Sequence, residues 1–378
     1  MSSSTIERLW STVEELALAV PQPARSRWHR KGMSDRAERV FNIASSLVFL
    51  LIAVGWSWSI AIARVEGESG ITRTTGIISR ALTDGRAPSV AYLTDAALEL
   101  VNPLRGESGR LQARIQQPGE TLARDTLPEG AVATFSSSGA RSESTSVLAA
   151  PGRTGIWSVA LAIGSVIKPI TNFSVITLKP AAAKQSGRIG LYYIGNWPSA
   201  RAGRVRYEPP SGFIEVTPKT QDTQLSDHFT LKNFFPHDQQ SVWPKYIVVD
   251  MKLVDKMELV LADLQLRGIP SKGVKVMSGF RTPQYNTGVG EKRGRAALSR
   301  HMYGDAADIF IDNDGNGSMD DLNRDGRVNI GDARVILAAV NRVEAAHPSL
   351  IGGCGVYAGT SAHGPFTHID TRGHPARW

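Results

Sequence analysis

A single cysteine, Cys354, occurs in 378 residues, so neither an intrachain disulfide nor a zinc module built on several thiolates is available to this chain. It stands in Gly352-Gly353-Cys354-Gly355-Val356-Tyr357, where a small packed side chain is the expected role rather than a nucleophile. Acidic residues are the minority charge, 35 against 43 basic ones for a net +8. That balance suits an anionic lipid, a nucleic acid or an anionic wall polymer, and equally suits plain solubility. At this length a single hydrophobic core gives way to two folded units with tails.

Charge is absent altogether from Val40 to Ala63, and Leu47 to Val54 is continuously apolar. At about 1.5 Å per residue this run exceeds a hydrocarbon core of roughly 30 Å. Trp56 and Trp58 sit toward its outer end, where indoles favour the interface. Six basic side chains (Arg25, Arg27, Arg30, Lys31, Arg36, Arg39) fall in the fifteen residues before the run and two (Arg64, Arg73) in the fifteen after it. The expectation is a transmembrane anchor over 40–63, residues 1–39 in the cytoplasm and everything beyond about 64 exported. Ala61-Ile62-Ala63 also has the small-x-small form of a cleavage site, so a cleaved leader is the rival; the long tail and long apolar run favour retention. Within the tail, Ile6, Leu9, Trp10, Val13, Leu16 and Ala17 recur at helical spacing behind Ser3 and Ser4. A short amphipathic helix follows, lying on the membrane, meeting an unidentified partner or remaining a solvated tail.

Residues 64–150 suggest no fold; only Val90 to Leu100 has a helical pattern, and Phe135 to Ser146 is a linker by composition. Over 151–204, runs rich in Val, Ile, Trp and Tyr (155–162, 173–178, 190–193) predict a small β-rich domain. From 205 to 378 the pattern predicts an α+β domain, a small antiparallel sheet with flanking helices: a strand at Phe213 to Val216, a helix within Lys245 to Arg267, a strand at Val274 to Phe280, a helix at Ala333 to Ala346 and a final strand through His368.

Chemistry concentrates in that last domain. A strand-like segment, Ser299 to Asp308, carries His301 and Asp308 with Gly304 between them, a spacing that permits a tight turn bringing both to one ion, and Ala306 and Ala307 leave room for it. On an extended His368-Ile369-Asp370 the outer two side chains share a face, which sets Asp370 to orient His368. Two imidazoles and one carboxylate are the ligand set of an open zinc site, which keeps a position for water and acidifies it; manganese and iron accept the same ligand types.

Ser278-Gly279-Phe280-Arg281-Thr282, then Ser299-x-His301-x-x-Gly304-x-Ala306-x-Asp308, then His368-Ile369-Asp370 resemble the signature of the M15 zinc peptidases, the D-alanyl-D-alanine carboxypeptidase family that acts on peptidoglycan stem peptides. The match covers about 275 to 378. The resemblance implies His301, Asp308 and His368 as zinc ligands, with Ser299 and Asp370 supporting them, and Arg281 facing the substrate, where a guanidinium can clamp a carboxylate or steady an oxyanion. Many relatives carry a glutamate three residues before the last histidine; Pro365 stands there in this chain. His363 resembles the histidine of the carboxypeptidase branch and is the candidate for proton transfer, the alternative being a hydrogen-bonding role in its loop.

Between Asp308 and the last helix two overlapping segments have the oxygen spacing of calcium loops. Asp321, Asn323, Asp325, Asn329 and Asp332 occupy positions 1, 3, 5, 9 and 12, with Gly326 at 6 and the Arg327 carbonyl at 7. A weaker copy runs Asp312, Asp314, Asn316, Gly317, Ser318 and Asp320, with Asn323 contested at position 12. The expected ion sits in the main loop, close enough to Asp308 to order its strand. Together these features predict a membrane-anchored bacterial zinc peptidase of the inner membrane, its catalytic domain periplasmic or extracellular, cleaving stem peptides and binding no nucleic acid. The alternatives are a non-catalytic wall-binding scaffold that keeps the fold, or a calcium-dependent assembly module.

Overall fold

The computed structural model describes Ala97 and residues 101–122, 127, 131–137, 140–145, 148–198, 208–288 and 296–378. The expected tail helix and membrane span lie outside these residues. Among the described residues no helix is long and apolar enough to cross a membrane.

Five strands form the first sheet: β1 (Ala113–Gln116), β2 (Ala131–Ser137), β3 (Ala140–Thr145), β4 (Gly155–Ile163) and β5 (Val166–Thr177), in the order β1-β5-β4-β2-β3, with only the β1–β5 pair parallel. The serine-rich stretch expected as a linker is therefore the β2–β3 hairpin, and the sheet begins near residue 113, well before 151. The physical reason is alternation: Ala131, Ala133 and Phe135 turn inward while the intervening residues face out, a period of two that small side chains disguise. Trp157, Leu161, Phe173 and Val175 complete this core, with Trp157 Nε1 donating to Thr177 Oγ1 at 2.9 Å.

The chain then makes β6 (Lys179–Pro180) and a tight hairpin of β7 (Arg188–Ile189) and β8 (Tyr192–Tyr193), turning at Gly190 where the sequence suggests continuous strand. It continues through β9 (Gly212–Val216) and β10 (Lys245–Ile247), which with β6 form a three-stranded sheet. The next helix, α1, starts only at Met251 and ends at Leu266; the first residues of the expected helix are strand β10, and Asp250 caps α1 by accepting from Lys252 N at 2.9 Å. There follow β11 (Val274–Ser278), the short α2 (Pro283–Gly288), β12 (Ala306–Ile311), α3 (Ile330–Ala346), β13 (Gly353–Tyr357), β14 (Phe366–Asp370) and β15 (Ala376–Arg377).

Strands β11 to β15 form the sheet that carries the site, in the order β11-β12-β14-β13-β15. One face is apolar: Ala307, Ile309, Cys354 and Ile369 pack beneath α1 (Leu253, Met257, Val260, Leu261, Leu264) and α3 (Ile336, Ala339, Val340, Val343). These helical residues recur at three and four, the stripe that such packing requires. Burial pushes the Cys354 thiol up to about 12, in keeping with a packing role. Ala113 and Ile176 of the first sheet, with Leu111 just ahead of β1, join this same core, so the β-rich region is not packed as a separate ball ending near 204. The fold class is α+β.

Candidate metal centre

Because side chains alternate along a strand, burying Ala307, Ile309 and Ile369 on the helix side forces Asp308, His368 and Asp370 onto the opposite face. Register then aligns them: Ser278 pairs with Asp308, Asp308 with His368, and His368 with Gly355, a single row across four strands. A bulge in β11 between Val276 and Ser278 ends the regular ladder beside this row. His301 comes from a different element. The segment read as strand-like begins instead with a 3-10 turn, Arg300–Tyr303, closed by Gly304 at φ 75°. A side chain at Gly304 would be strained at that φ, and its Cβ would meet the Val248 carbonyl oxygen at 2.6 Å.

His301, Asp308 and His368 are all buried and converge. His301 Nε2 lies 3.2 Å from His368 Nδ1 and 3.3 Å from Asp308 Oδ1, and His368 Nδ1 lies 2.9 Å from the same oxygen. Tetrahedral zinc with bonds of about 2.0–2.1 Å sets its ligand atoms about 3.3 Å apart, so this triangle matches a one-ion ligand set to within a few tenths of an ångström. The outer hydrogen bonds point the right atoms inward. His301 Nδ1 faces the Gly279 carbonyl at 2.7 Å and must carry the proton, which presents the Nε2 lone pair to the centre. His368 Nε2 faces Asp370 Oδ2 at 3.1 Å and donates there, presenting Nδ1. Two lone pairs and a carboxylate oxygen then meet with no donor among them, an arrangement that requires a cation or an added proton.

The electrostatics agree. Burial alone would raise Asp308, yet the adjacent His301 and His368 hold its carboxyl far below the usual carboxylate range. Asp370 is likewise held low against its burial by His368, Arg372 and the Gly353 amide. Burial lowers His301 below an ordinary imidazole, whereas His368, also penalised by burial, is raised by hydrogen bonds to Asp308 and Asp370. Of the two imidazoles, His368 is therefore the more basic.

The expected support residues divide. Asp370 stands where the strand argument placed it. Its Oδ1 accepts from Gly353 N at 2.6 Å, and Arg372 grips both of its oxygens. Ser299 lines the cavity as the residue before the 3-10 turn. Arg281 donates from Nη2 to Asp308 Oδ2 at 2.6 Å and from Nε to Ser278 Oγ at 2.8 Å, so part of its fork is committed to a ligand carboxylate. His363 is half-buried, its Nδ1 donating to the Gly364 carbonyl at 2.8 Å, which leaves Nε2 as the proton-accepting nitrogen.

Arg281, Ser299, His363 and the three converging ligands line one cavity of about 660 Å3, walled also by Arg300, Tyr357, Phe366 and Trp378. The rings of Tyr357 and Phe366 stack at 4.5 Å, and Trp378 donates to Tyr357 Oη at 2.6 Å with its own ring 5.3 Å from that of His368. A larger cavity of about 780 Å3 beside α1 contains no residue assigned to chemistry; its Asp255 accepts from the backbone amides of Glu107 and Ser108. Sequence reasoning missed the Gly279 carbonyl, Trp378 and Arg372. Only Arg372 had a signal, two residues beyond Asp370, since a backbone acceptor carries no side-chain signature and Trp378 lies ten residues past the last ligand.

Of the two expected calcium loops, it is the weaker copy whose carboxylates come together. Asp312, Asp314 and Asp320 bring carboxylate oxygens within 4.8 Å of one another; among the described residues Asp321, Asp325 and Asp332 form no such group. Asp332 instead accepts from Leu322 N, Asn323 N and Asn329 N, and Asn329 caps α3 by accepting from Gly331 N. Asp321 accepts from the amides of Asp325 and Gly326, Asn323 from that of Asp325, and Asp325 from that of Arg327. The 312–320 loop closes in the same way, Asp314 accepting from Asn316, Asn316 from Ser318 N, and Asp320 Oδ2 from Asn313 N and Nδ2, so what sets 321–332 apart is the capping of α3 by Asn329 and Asp332.

Comparisons with protein-family models, with curated proteins and with solved structures returned no match.

Proposed function

We propose that the chain is a zinc-dependent peptidase that cleaves peptide bonds in peptidoglycan stems, held at the membrane by residues 40–63 with the domain on the outer side. The carrying observation is the convergence of two oriented imidazole lone pairs and the Asp308 oxygen at separations that suit one ion. Zinc bound by His301, Asp308 and His368 supplies a Lewis acid that polarises a carbonyl and acidifies water at neutral pH.

The remaining chemistry belongs to the chain's own groups. His363 Nε2 accepts a proton and returns it to the leaving amine. Arg281 uses two N–H groups to hold Asp308 and Ser278, and its fork has further donors for a substrate carboxylate or a developing oxyanion. Arg300 and Arg372 line the same cavity, each paired with a carboxylate, Asp305 and Asp370. The Tyr357, Phe366 and Trp378 rings keep one wall apolar. The M15 resemblance of the three motifs supports this substrate class.

The test is incubation of the detergent-solubilised full chain with purified muropeptides, with and without a zinc chelator, followed by mass analysis. A chelator-sensitive mass change is the expected result. Its absence across all muropeptides would overturn the peptidase and favour the scaffold.

A further inference from the structure

A second group of oxygens lies immediately beyond β12 and is built differently from the histidine centre. Asp312 is 4% exposed, and its Oδ2 accepts from Gly317 N at 3.1 Å while its Oδ1 is buried with no hydrogen-bond partner. A buried carboxylate oxygen without a donor is costly unless a cation meets it. One carboxylate oxygen from each of Asp312, Asp314 and Asp320 lies within 4.8 Å of the other two, and Asp320 Oδ2 also accepts from Asn313 N and Nδ2. With Asp312, Asp314, Asn316 and Asp320 at positions 1, 3, 5 and 9, the Ser318 carbonyl takes position 7, an all-oxygen set that suits calcium rather than zinc. At the contested position 12 the Asn323 side chain bonds to Asp325, and solvent can complete the shell there.

The loop also touches the site cavity's rim. A Cβ on Gly364 would stand 2.7 Å from Ser318 Oγ, which places the His363–Gly364 segment against the loop. Asp320 N donates to Ile311 O at 2.8 Å, tying the loop's far end to the strand that carries Asp308. We propose that loop 312–320 binds a hard divalent cation of the calcium class through Asp312, Asp314, Asn316, Ser318 and Asp320, and that the bound ion braces the His363–Gly364 segment through Ser318. The ion is separate from the His301–Asp308–His368 centre, and its binding does not depend on the peptidase reading.

Equilibrium dialysis of the full chain against labelled calcium tests the site. Asp314→Asn, an exposed position whose change spares the core, is expected to weaken binding at least about tenfold. Asp325→Asn in the neighbouring loop is expected to leave it unchanged. No binding at millimolar calcium, or loss in Asp325→Asn with retention in Asp314→Asn, overturns the assignment. Hydrogen exchange over residues 358–366 tests the bracing: calcium is expected to slow it in the wild type and not in Asp314→Asn, and equal exchange with and without calcium refutes it.

Discussion

Replacing Asp370 by Asn separates a metal centre from a merely buried hydrogen-bond cluster. Asp370 touches no other ligand; it acts through His368, accepting from Nε2 at 3.1 Å and thereby fixing which nitrogen faces inward. It is fully buried, and Arg372 together with the Gly353 amide holds its remaining lone pairs, so the carboxylate has one geometry. Such an outer carboxylate contributes about 10–100-fold to metal affinity, or roughly 1.4–2.7 kcal/mol. The amide keeps the shape but loses the charge that strengthens the imidazole as a donor. Zinc affinity of the full chain, measured by competition with a chromophoric chelator, is expected to fall by that factor, while the circular dichroism spectrum stays unchanged. An Asp370→Asn affinity within twofold of wild type would refute the reasoning, because His368 orientation would then owe nothing to its partner.

Two further outcomes follow from the scaffold. Lys256 is fully buried beneath the site, donating to Glu344 Oε1 at 2.6 Å and to the Asp370 carbonyl at 2.7 Å. Lys256→Met is expected to cost about 3 kcal/mol, the lower end for a broken buried pair, because Glu344 keeps Arg377 and the Gly352 amide; urea unfolding showing under 1 kcal/mol would contradict this. His228 is raised above an ordinary imidazole chiefly by its hydrogen bond to buried Glu258, with burial and Arg110 opposing and Asp227 assisting. Its folded value exceeds its unfolded one, so the pair stabilises fully below about pH 6.5 and the gain is lost as pH rises through the folded value. The melting-temperature advantage of wild type over His228→Gln should therefore shrink from pH 6 to pH 8.5, and an advantage that grows would reverse the sign.

How much of this could be read from the chain follows from the range of each signal. Helices α1 and α3 were legible because apolar residues repeat at three and four, although β10 was absorbed into α1 since Tyr246 and Ile247 continue its apolar pattern. The β2–β3 hairpin was not legible, because serine and alanine mask the alternation that Phe135 alone marks. The three ligands were legible by type and spacing, and Asp370 by strand parity. His301's turn and the Gly279 carbonyl were not, as both are set by tertiary packing against Val248 and Phe234. The burial of Asp312 and the capping duty of Asp332, which distinguish the two overlapping loops, were beyond the sequence for the same reason, since neither changes the spacing.

The most direct test of the metal centre is elemental analysis of the purified full chain after equilibration with limiting zinc and gel filtration. About one zinc per chain is expected, lost in both His301→Ala and Asp308→Ala with the fold retained. A wild-type chain that emerges without zinc, or a His301→Ala chain that retains it undiminished, would contradict the account.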